Sequence, residues 1–124
     1  MTTIVISEFT DEAAVAALGQ TFDVLYDPAL VDRPADLLAA VADARALIVR
    51  NRTSVRDGLL AAATRLEVVG RLGVGLDNID VETCRRRGIQ VIPATGANDL
   101  SVAEYVVTAA LVLRRGAYAA NAAM

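Results

Sequence analysis

The sequence predicts an α/β domain in which a parallel, doubly wound sheet of five strands carries helices on both faces. Two observations lead to this prediction. Short β-branched runs alternate along the chain with Ala- and Leu-rich amphipathic segments, which is typical of repeated strand–helix units. The third run, Ala46–Val49, is apolar at every position, as expected for a strand covered on both faces. A chain of 124 residues can bury such a core without disulfides.

The predicted strands are residues 3–7, 22–26, 46–49, 66–69 and 89–92. The predicted helices are residues 11–18, 34–42, 55–63 and 80–87, followed by a long helix from 101 to about 117. Thr10 is a plausible N-cap for the first helix, and Asp27-Pro28 ends the second strand. Pro34 suits the first turn of the second helix because its φ is already close to the helical value.

Capping signals predict where the later helices begin and end. Thr53 or Ser54 could cap the third helix. The segment 85–88, Arg-Arg-Arg-Gly, puts cations at the negative end of the fourth helix dipole and glycine just after its last turn. Ser101 and Glu104 have the spacing of a capping box at the start of the last helix.

The last helix is apolar around almost its whole circumference, because residues 102–113 leave almost no polar face. A helix of this kind is normally buried on all sides. Either it packs tightly on its own sheet, or it needs a neighbour from another domain or a partner subunit. The tail AYAANAAM ends without a cap or a polar end, which predicts a truncated chain.

The composition excludes several kinds of chemistry. All 12 basic residues are arginines, so neither a histidine general base nor lysine chemistry can come from this sequence. The lone Cys84 forms no disulfide and is expected to be a packing residue in a reducing cytoplasm. A net charge of −3 argues against a nucleic-acid surface. The N-terminus lacks signal-peptide features, and the longest apolar stretch is too short to span a membrane.

The segment 70–80, GRLGVGLDNID, contains a G-x-G after a predicted strand. A dinucleotide cradle would need a third glycine where Asn78 stands, and an acidic residue after the next strand, where Pro93-Ala94 stand. The segment also follows the fourth strand rather than the first. Two interpretations are left: a tight turn that needs glycine, or backbone amides that bind an anion beside Arg71.

A second candidate loop, Arg50-Asn51-Arg52-Thr53, follows the buried third strand. Two guanidinium groups and an amide at the carboxyl end of a strand could bind a carboxylate or a sulfonate. The alternative is a solvated loop that leads into the next helix. Asn98 and Asp99, just before the last helix, either face a ligand or form the turn.

Four blocks together resemble the D-isomer-specific 2-hydroxyacid dehydrogenases, most closely the phosphoglycerate dehydrogenase-like branch: residues 46–53, 66–80, 87–91 and 98–104. They are similar in order and spacing to the amino-terminal segment of that family, which supplies most of a flavodoxin-like substrate domain. The resemblance implies that residues 1–100 are the substrate-domain segment. It also implies that residues 101–124 are a connector helix toward an absent NAD-binding domain.

The resemblance also implies roles for individual residues. The substrate-binding residues would be Asn51, Arg52, Arg71, Gly73, Val74, Gly75 and Asn98, with the amides of the glycine loop on the substrate carboxylate. Val74 would also touch the nicotinamide, and Val102 would lie near it. In the family, the catalytic Arg, Glu and His and the true G-x-G-x-x-G lie further along the chain. NAD would therefore be held mainly by the absent domain, and the protein would be a homodimer.

One departure from the family bears on the substrate. Many relatives have small residues in the first loop, whereas here Arg52 adds a cation. This difference predicts a 2-hydroxy or 2-oxo acid with a second acidic group, such as a phosphonooxy, sulfonate or carboxylate.

Three hypotheses follow from the sequence. The first is the substrate-domain part of an NAD-dependent 2-hydroxyacid dehydrogenase, inactive as this truncated chain. The second is a free-standing module that binds a small acid without catalysis. The third is a dimerisation domain built on the apolar last helix.

Overall fold

The computed structural model describes residues 3–116 and contains one sheet of five parallel strands. The strands are β1 (Ile4–Ile6), β2 (Val24–Tyr26), β3 (Ala46–Val49), β4 (Val68–Arg71) and β5 (Gln90–Pro93). Their order in the sheet is β2-β1-β3-β4-β5. The predicted α/β class and its five parallel strands are therefore confirmed.

The helices are α1 (Glu12–Gly19), α2 (Pro34–Val41), α3 (Asp57–Ala62), α4 (Val81–Arg86) and α5 (Asp99–Arg115). A short 3-10 helix, Leu30–Asp32, precedes α2 and was not predicted. Pro34 occupies the first turn of α2, as predicted. Gly88 follows α4 with a φ of 71°, which confirms the glycine stop after the arginine run.

The caps predicted for α1 and α5 are wrong. Asp11, not Thr10, caps α1, because the Asp11 carboxylate accepts a hydrogen bond from the Ala14 amide at 3.2 Å. The predicted capping box at Ser101 fails because α5 already begins at Asp99, so Ser101 lies inside its first turn.

The third helix begins later than predicted, at Asp57, and neither Thr53 nor Ser54 caps it. Val55 instead makes an isolated parallel bridge with Ile79, which holds that part of the chain extended. The Thr53 hydroxyl is buried and bonds to the Ser7 hydroxyl at 2.8 Å. A tertiary contact has therefore replaced the local cap.

The fourth strand is displaced by two residues from its predicted position. Gly70 and Arg71 continue the parallel register opposite Ile48 and Val49 of β3. Arg71 is thus the last residue of β4 and not the first residue of a loop.

The hydrophobic core lies between the central strands and the helices that pack on them. Its fully buried side chains include Val5, Val41, Leu47, Val49, Val55, Leu60 and Val69. Cys84 is also fully buried, in agreement with its predicted packing role, and burial raises the pKa of its thiol. A raised pKa keeps the thiol protonated and unreactive at neutral pH.

The chain divides into two compact units, Met1–Ala94 and Thr95–Met124. The described part of the second unit contains α5. This helix ends at Arg115, and the following Gly116 adopts a left-handed backbone conformation. None of the α5 residues is buried, and large apolar side chains such as Leu100, Tyr105 and Leu113 are exposed. The choice between packing on its own sheet and packing on a neighbour stays a prediction. The predicted helix end at Ala117 and the tail lie outside the described residues.

Replacing Leu47 by alanine should destabilise the first unit by about 2–5 kcal/mol, because the mutation opens a cavity in the central strand of the sheet. Urea unfolding followed by circular dichroism measures this cost. The matched control is Leu38→Ala on α2, where a side chain 39% exposed should cost about 1 kcal/mol or less. Equal losses for both variants would contradict the assignment of the core.

Candidate functional site

The candidate site lies at the carboxyl edge of the sheet. All five strands are parallel, so the chain leaves β1, β3 and β4 on the same side. These three strands are direct neighbours, and their loops start at Ser7, Arg50 and Leu72. Ligands of open parallel α/β sheets bind at this edge. The two candidate loops of the sequence therefore emerge next to each other.

A buried carboxylate organises the loop after β3. Glu8 follows β1 and is only 4% exposed. Its Oε2 accepts hydrogen bonds from the backbone amides of Arg50 at 2.8 Å and Thr53 at 3.0 Å. Its Oε1 accepts one from the amide of Arg52 at 3.0 Å. Three of the four amides in residues 50–53 thus converge on one side chain.

These bonds decide the charge state of Glu8. Burial by itself would raise the pKa of the Glu8 carboxyl, because a charged group loses hydration. Hydrogen bonds from Thr53, Arg50 and Arg52 favour the ionised form more strongly, so the pKa is lower than the ordinary value of 4.5. Glu8 is therefore an anion at neutral pH, with backbone dipoles as its main partners.

Asn78 holds the same loop from the carbonyl side. Its Nδ2 donates to the carbonyl oxygens of Arg50 and Thr53, both at 2.9 Å. Because Asn78 belongs to the glycine segment, residues 70–80, it links the two candidate loops directly. Two further contacts support this link: the Val55 amide donates to the Asn78 carbonyl at 2.8 Å, and the Arg56 guanidinium donates to the Asp77 carbonyl.

The side chains of Asn51 and Arg52 lie on the exposed side of the loop. The Arg52 guanidinium forms an ion pair with Asp32 of the 3-10 helix, and both side chains are more than half exposed. An exposed ion pair of this kind contributes little stability, about 0–1 kcal/mol. An incoming anion can therefore compete with Asp32 for the guanidinium at low cost.

The backbone amide of Arg50 binds Glu8, whereas its side chain makes a separate contact. Its guanidinium lies over the ring of Phe9, 6.0 Å from the ring centroid. This is the outer limit of a cation–π contact. No ion pair involves Arg50 among the described residues, so it adds an uncompensated positive charge near the edge of the sheet.

The glycine segment begins with a close contact between Arg71 and Gly73. Gly73 has a φ of 153°, and a Cβ built on it would lie 1.9 Å from the Nη1 atom of Arg71. The backbone conformation favours glycine here, and a side chain would also have to displace the Arg71 guanidinium. The Nη1 atom donates to the Leu72 carbonyl at 2.8 Å, while the buried Nε has no partner within residues 3–116.

The three amides predicted to bind a carboxylate are not equivalent. The Gly73 amide donates to the Arg71 carbonyl at 2.9 Å and is already engaged. For Val74 and Gly75, no protein acceptor is found in the described part of the chain. Val74 is 52% exposed, so its side chain also stands free at the tip of the loop. Two amides and one exposed apolar side chain are thus available here.

Asn98 and Val102 belong to the second unit. Asn98 is the residue before α5 and makes no side-chain cap, and Val102 is on the first turn and half exposed. Their predicted roles in binding the substrate and the nicotinamide stay predictions. Within residues 3–116 no group of three acidic, histidine or cysteine side chains could hold a metal ion. None of the helices within residues 3–116 combines the length and the hydropathy of a membrane-spanning segment.

Sequence reasoning missed the roles of Glu8 and Asn78. Glu8 directly follows an apolar strand, but hydrophobic periodicity cannot tell a buried carboxylate from a solvated one. Asn78 was noted only because it occupies the third glycine position of a cofactor motif. Glu8 is the second residue after β1 and Asn78 the seventh after β4, so no local signal in the sequence could have found their roles.

The fold defines a class: an α/β domain with a flavodoxin-like parallel sheet, whose loops at the carboxyl edge contain arginines and backbone amides that are free within the described residues. The sequence matches the D-isomer specific 2-hydroxyacid dehydrogenase catalytic domain over residues 4–123. The chain therefore belongs to the D-isomer-specific 2-hydroxyacid dehydrogenase family, as the four blocks predict.

Individual relatives agree with this assignment. An (S)-sulfolactate dehydrogenase of Chromohalobacter salexigens is 59% identical over 118 residues, which are 95% of this chain and 38% of that protein. A D-3-phosphoglycerate dehydrogenase of Mycobacterium leprae is 40% identical over 123 residues, or 98% of this chain and 22% of that protein. The chain thus spans well under half the length of these curated relatives.

The fold also matches a solved structure. A D-lactate dehydrogenase of Aquifex aeolicus, complexed with NAD and lactic acid, superposes with a TM-score of 0.75. The match covers 90% of this chain and 33% of that one, with 21% sequence identity. At this identity the likeness concerns the fold alone.

Replacing Gly73 by alanine should cost about 1–3 kcal/mol, because a Cβ forces strained backbone and displaces the Arg71 guanidinium. Urea unfolding measures the loss. Gly19→Ala is the control: it ends α1 with open space around a new Cβ and should be neutral or stabilising by up to about 1 kcal/mol. A Gly73→Ala variant as stable as Gly19→Ala would refute the packing described for this loop.

Acidification should remove the contribution of Glu8 to stability. Its pKa is lower in the folded state than the ordinary 4.5, so its contribution is complete above that value and is lost as pH falls through the folded-state pKa. The stability difference between the wild type and Glu8→Gln, measured by urea unfolding from pH 7 to pH 3, should therefore shrink below about pH 4.5.

Taking this difference is necessary because Glu67 and Asp80 also have lowered pKa values, through Arg45 and Thr83. They cause their own acid destabilisation in both proteins. A difference that stays constant, or grows, on acidification would contradict the ionised state assigned to Glu8.

Proposed function

We propose that this chain is the substrate-domain portion of an NAD-dependent 2-hydroxyacid dehydrogenase that acts on (S)-sulfolactate or a closely similar acid. The observation that carries this proposal is the 59% identity to an (S)-sulfolactate dehydrogenase over 95% of the chain. The independent support is chemical: the site combines free backbone amides with arginines on adjacent loops, which suits an acid with two anionic ends.

The two ends of such an acid have different partners in this proposal. The free amides of Val74 and Gly75, with Arg71 beside them, bind the carboxylate next to C2. The side chains of Asn51 and Arg52 bind the second acidic group. Arg52 exchanges its exposed pair with Asp32 for the sulfonate, and this exchange is cheap because both groups are already hydrated.

The reaction proposed is the transfer of a hydride between C2 of the acid and nicotinamide. In the oxidative direction the C2 hydrogen leaves with its electron pair, the hydroxyl proton goes to a base, and C2 becomes a carbonyl. NAD supplies the hydride acceptor when it is bound. This chain contains no histidine, and we propose that the base and the other catalytic residues lie in parts of the protein outside this sequence.

The residues described here fit only the edge of the cofactor. The exposed side chain of Val74 offers an apolar contact for a flat ring. The glycine segment has Asn78 where a phosphate cradle needs glycine. The side-chain amide of Asn78 already donates to two backbone carbonyls, those of Arg50 and Thr53. We therefore propose that NAD is held mainly by another domain, and that this chain alone does not catalyse hydride transfer.

From the family resemblance we also propose a cellular location and an oligomeric state. We expect the full-length protein to be a cytoplasmic homodimer. The apolar sequence of α5 supports a contact with a further domain or a second subunit.

The test uses the full-length protein that contains this chain, with NADH formation measured on (S)-sulfolactate, D-3-phosphoglycerate and D-lactate. We expect the highest kcat/KM with (S)-sulfolactate. Replacing Arg52 by alanine should raise KM for this substrate about 10–100-fold, the value of a charge-assisted hydrogen bond. The same change should leave KM for D-lactate within about threefold, because lactate has no second acidic group.

Arg85→Ala is the matched control, since Arg85 is an exposed arginine on α4 away from the carboxyl edge. Its KM values should stay within about twofold of the wild type. Absence of turnover on every 2-hydroxy acid would refute the enzymatic proposal. Acid binding without turnover would instead favour a non-enzymatic binding module.

A further inference from the structure

We infer that Glu8 is a positioning residue for the substrate loop, residues 50–53: without touching the substrate, it fixes the backbone that presents Asn51 and Arg52. The inference deepens the proposed function and rests on it for the identity of the ligand. The conformation of the loop itself can be tested without any enzymatic activity.

The first argument is the geometry of the three amides. The amides of Arg50, Arg52 and Thr53 all point to the inside of the loop and end on one carboxylate, at 2.8 to 3.0 Å. Successive amides do not converge in an extended strand, where they alternate in direction. The convergence therefore belongs to a particular tight turn, which exists because an anion occupies its centre.

The second argument concerns the amide that Glu8 does not bind. Asn51 is the one residue of the four whose amide has no acceptor in the described part of the chain. It lies between two amides that point inward and belongs to an exposed residue. Glu8 thus satisfies the inner amides and leaves the Asn51 amide, with the Asn51 and Arg52 side chains, for a ligand.

The third argument is that the loop is held on both sides. Glu8 binds its amides, and Asn78 donates to the carbonyls of Arg50 and Thr53. The Ser7 and Thr53 hydroxyl groups add a buried bond beside Glu8. Because Asn78 belongs to the glycine segment, the positions of the two anion-binding loops are coupled through residues 50–53. Replacing Glu8 should therefore disturb both ends of the proposed acid site.

Glutamate is specifically suited to this task. A carboxylate offers two oxygens that only accept hydrogen bonds, whereas glutamine replaces one of them with a donating NH2 group. Glu8→Gln would set that NH2 group against one of the inward-pointing amides. Glu8→Asp keeps the charge but withdraws the carboxylate by one methylene group, so it should satisfy the amides only in part.

The experiment compares Glu8→Gln, Glu8→Asp and Glu67→Gln in the full-length protein. Glu67→Gln makes the same chemical change at an exposed glutamate that pairs with Arg45 before β4, at the opposite edge of the sheet. Circular dichroism and thermal unfolding verify that each variant is folded at the assay temperature. Hydrogen–deuterium exchange, read on a peptide that covers residues 50–53, reports the loop directly.

We expect Glu8→Gln to increase exchange in this peptide at least tenfold and to raise KM for (S)-sulfolactate at least tenfold, with kcat within about threefold. Glu8→Asp should fall between Glu8→Gln and the wild type in both measurements. Glu67→Gln should match the wild type, which separates a general loss of stability from a change in the loop.

A folded Glu8→Gln variant with wild-type exchange and wild-type KM overturns the inference. If Glu8→Gln does not fold, Glu8→Asp decides: wild-type exchange and KM in a folded Glu8→Asp protein overturn the inference equally. Failure of the proposed function has a different signature, namely no turnover by the wild type on any 2-hydroxy acid. In that case increased exchange in Glu8→Gln still supports the positioning of the loop, and unchanged exchange refutes it.

Discussion

The candidate site depends on one buried anion whose partners are backbone amides. Glu8 is placed at the end of β1, where burial by itself would favour the neutral acid. The amides of residues 50, 52 and 53 outweigh that effect and keep the carboxylate charged. Carboxylate and loop therefore stabilise each other: the loop would leave three amides unsatisfied without Glu8, and Glu8 would be an uncompensated buried charge without the loop.

The arginines of the candidate site differ in whether a carboxylate neutralises their charge. Arg52 has a carboxylate partner, Asp32, in an exposed and readily exchanged pair. Arg71 and Arg50 contact a carbonyl and an aromatic ring instead, so their charges are not compensated by an acid. The edge of the sheet thus combines two arginines without an acidic partner within residues 3–116 and one arginine, Arg52, that is paired with Asp32. An acid that binds Arg52 as proposed would have to displace Asp32.

Sequence reasoning was most accurate where a local property decides the structure. Ala46–Val49 was predicted to the residue, because a short apolar run in a chain of alternating strand and helix patterns is typical of a parallel-sheet strand. Pro34 and Gly88 were correctly assigned because their backbone preferences are intrinsic. The errors lie where tertiary contacts compete with local ones. Thr53 would be a good cap, but its hydroxyl bonds to Ser7, and Gly70 and Arg71 extend β4 because β3 offers them partners.

The sequence by itself determined the parallel α/β architecture, the family and the two loops that contain the candidate binding residues, because these follow from periodicity, intrinsic backbone preference and motif order. Only the tertiary structure decided which polar groups satisfy each other. Glu8 and its three amides are 42 to 45 residues apart in the chain, and Asn78 is 28 residues from Arg50. No local pattern encodes such pairs, because a buried hydrogen bond is chosen by the direction and distance of groups that meet only after the strands have paired.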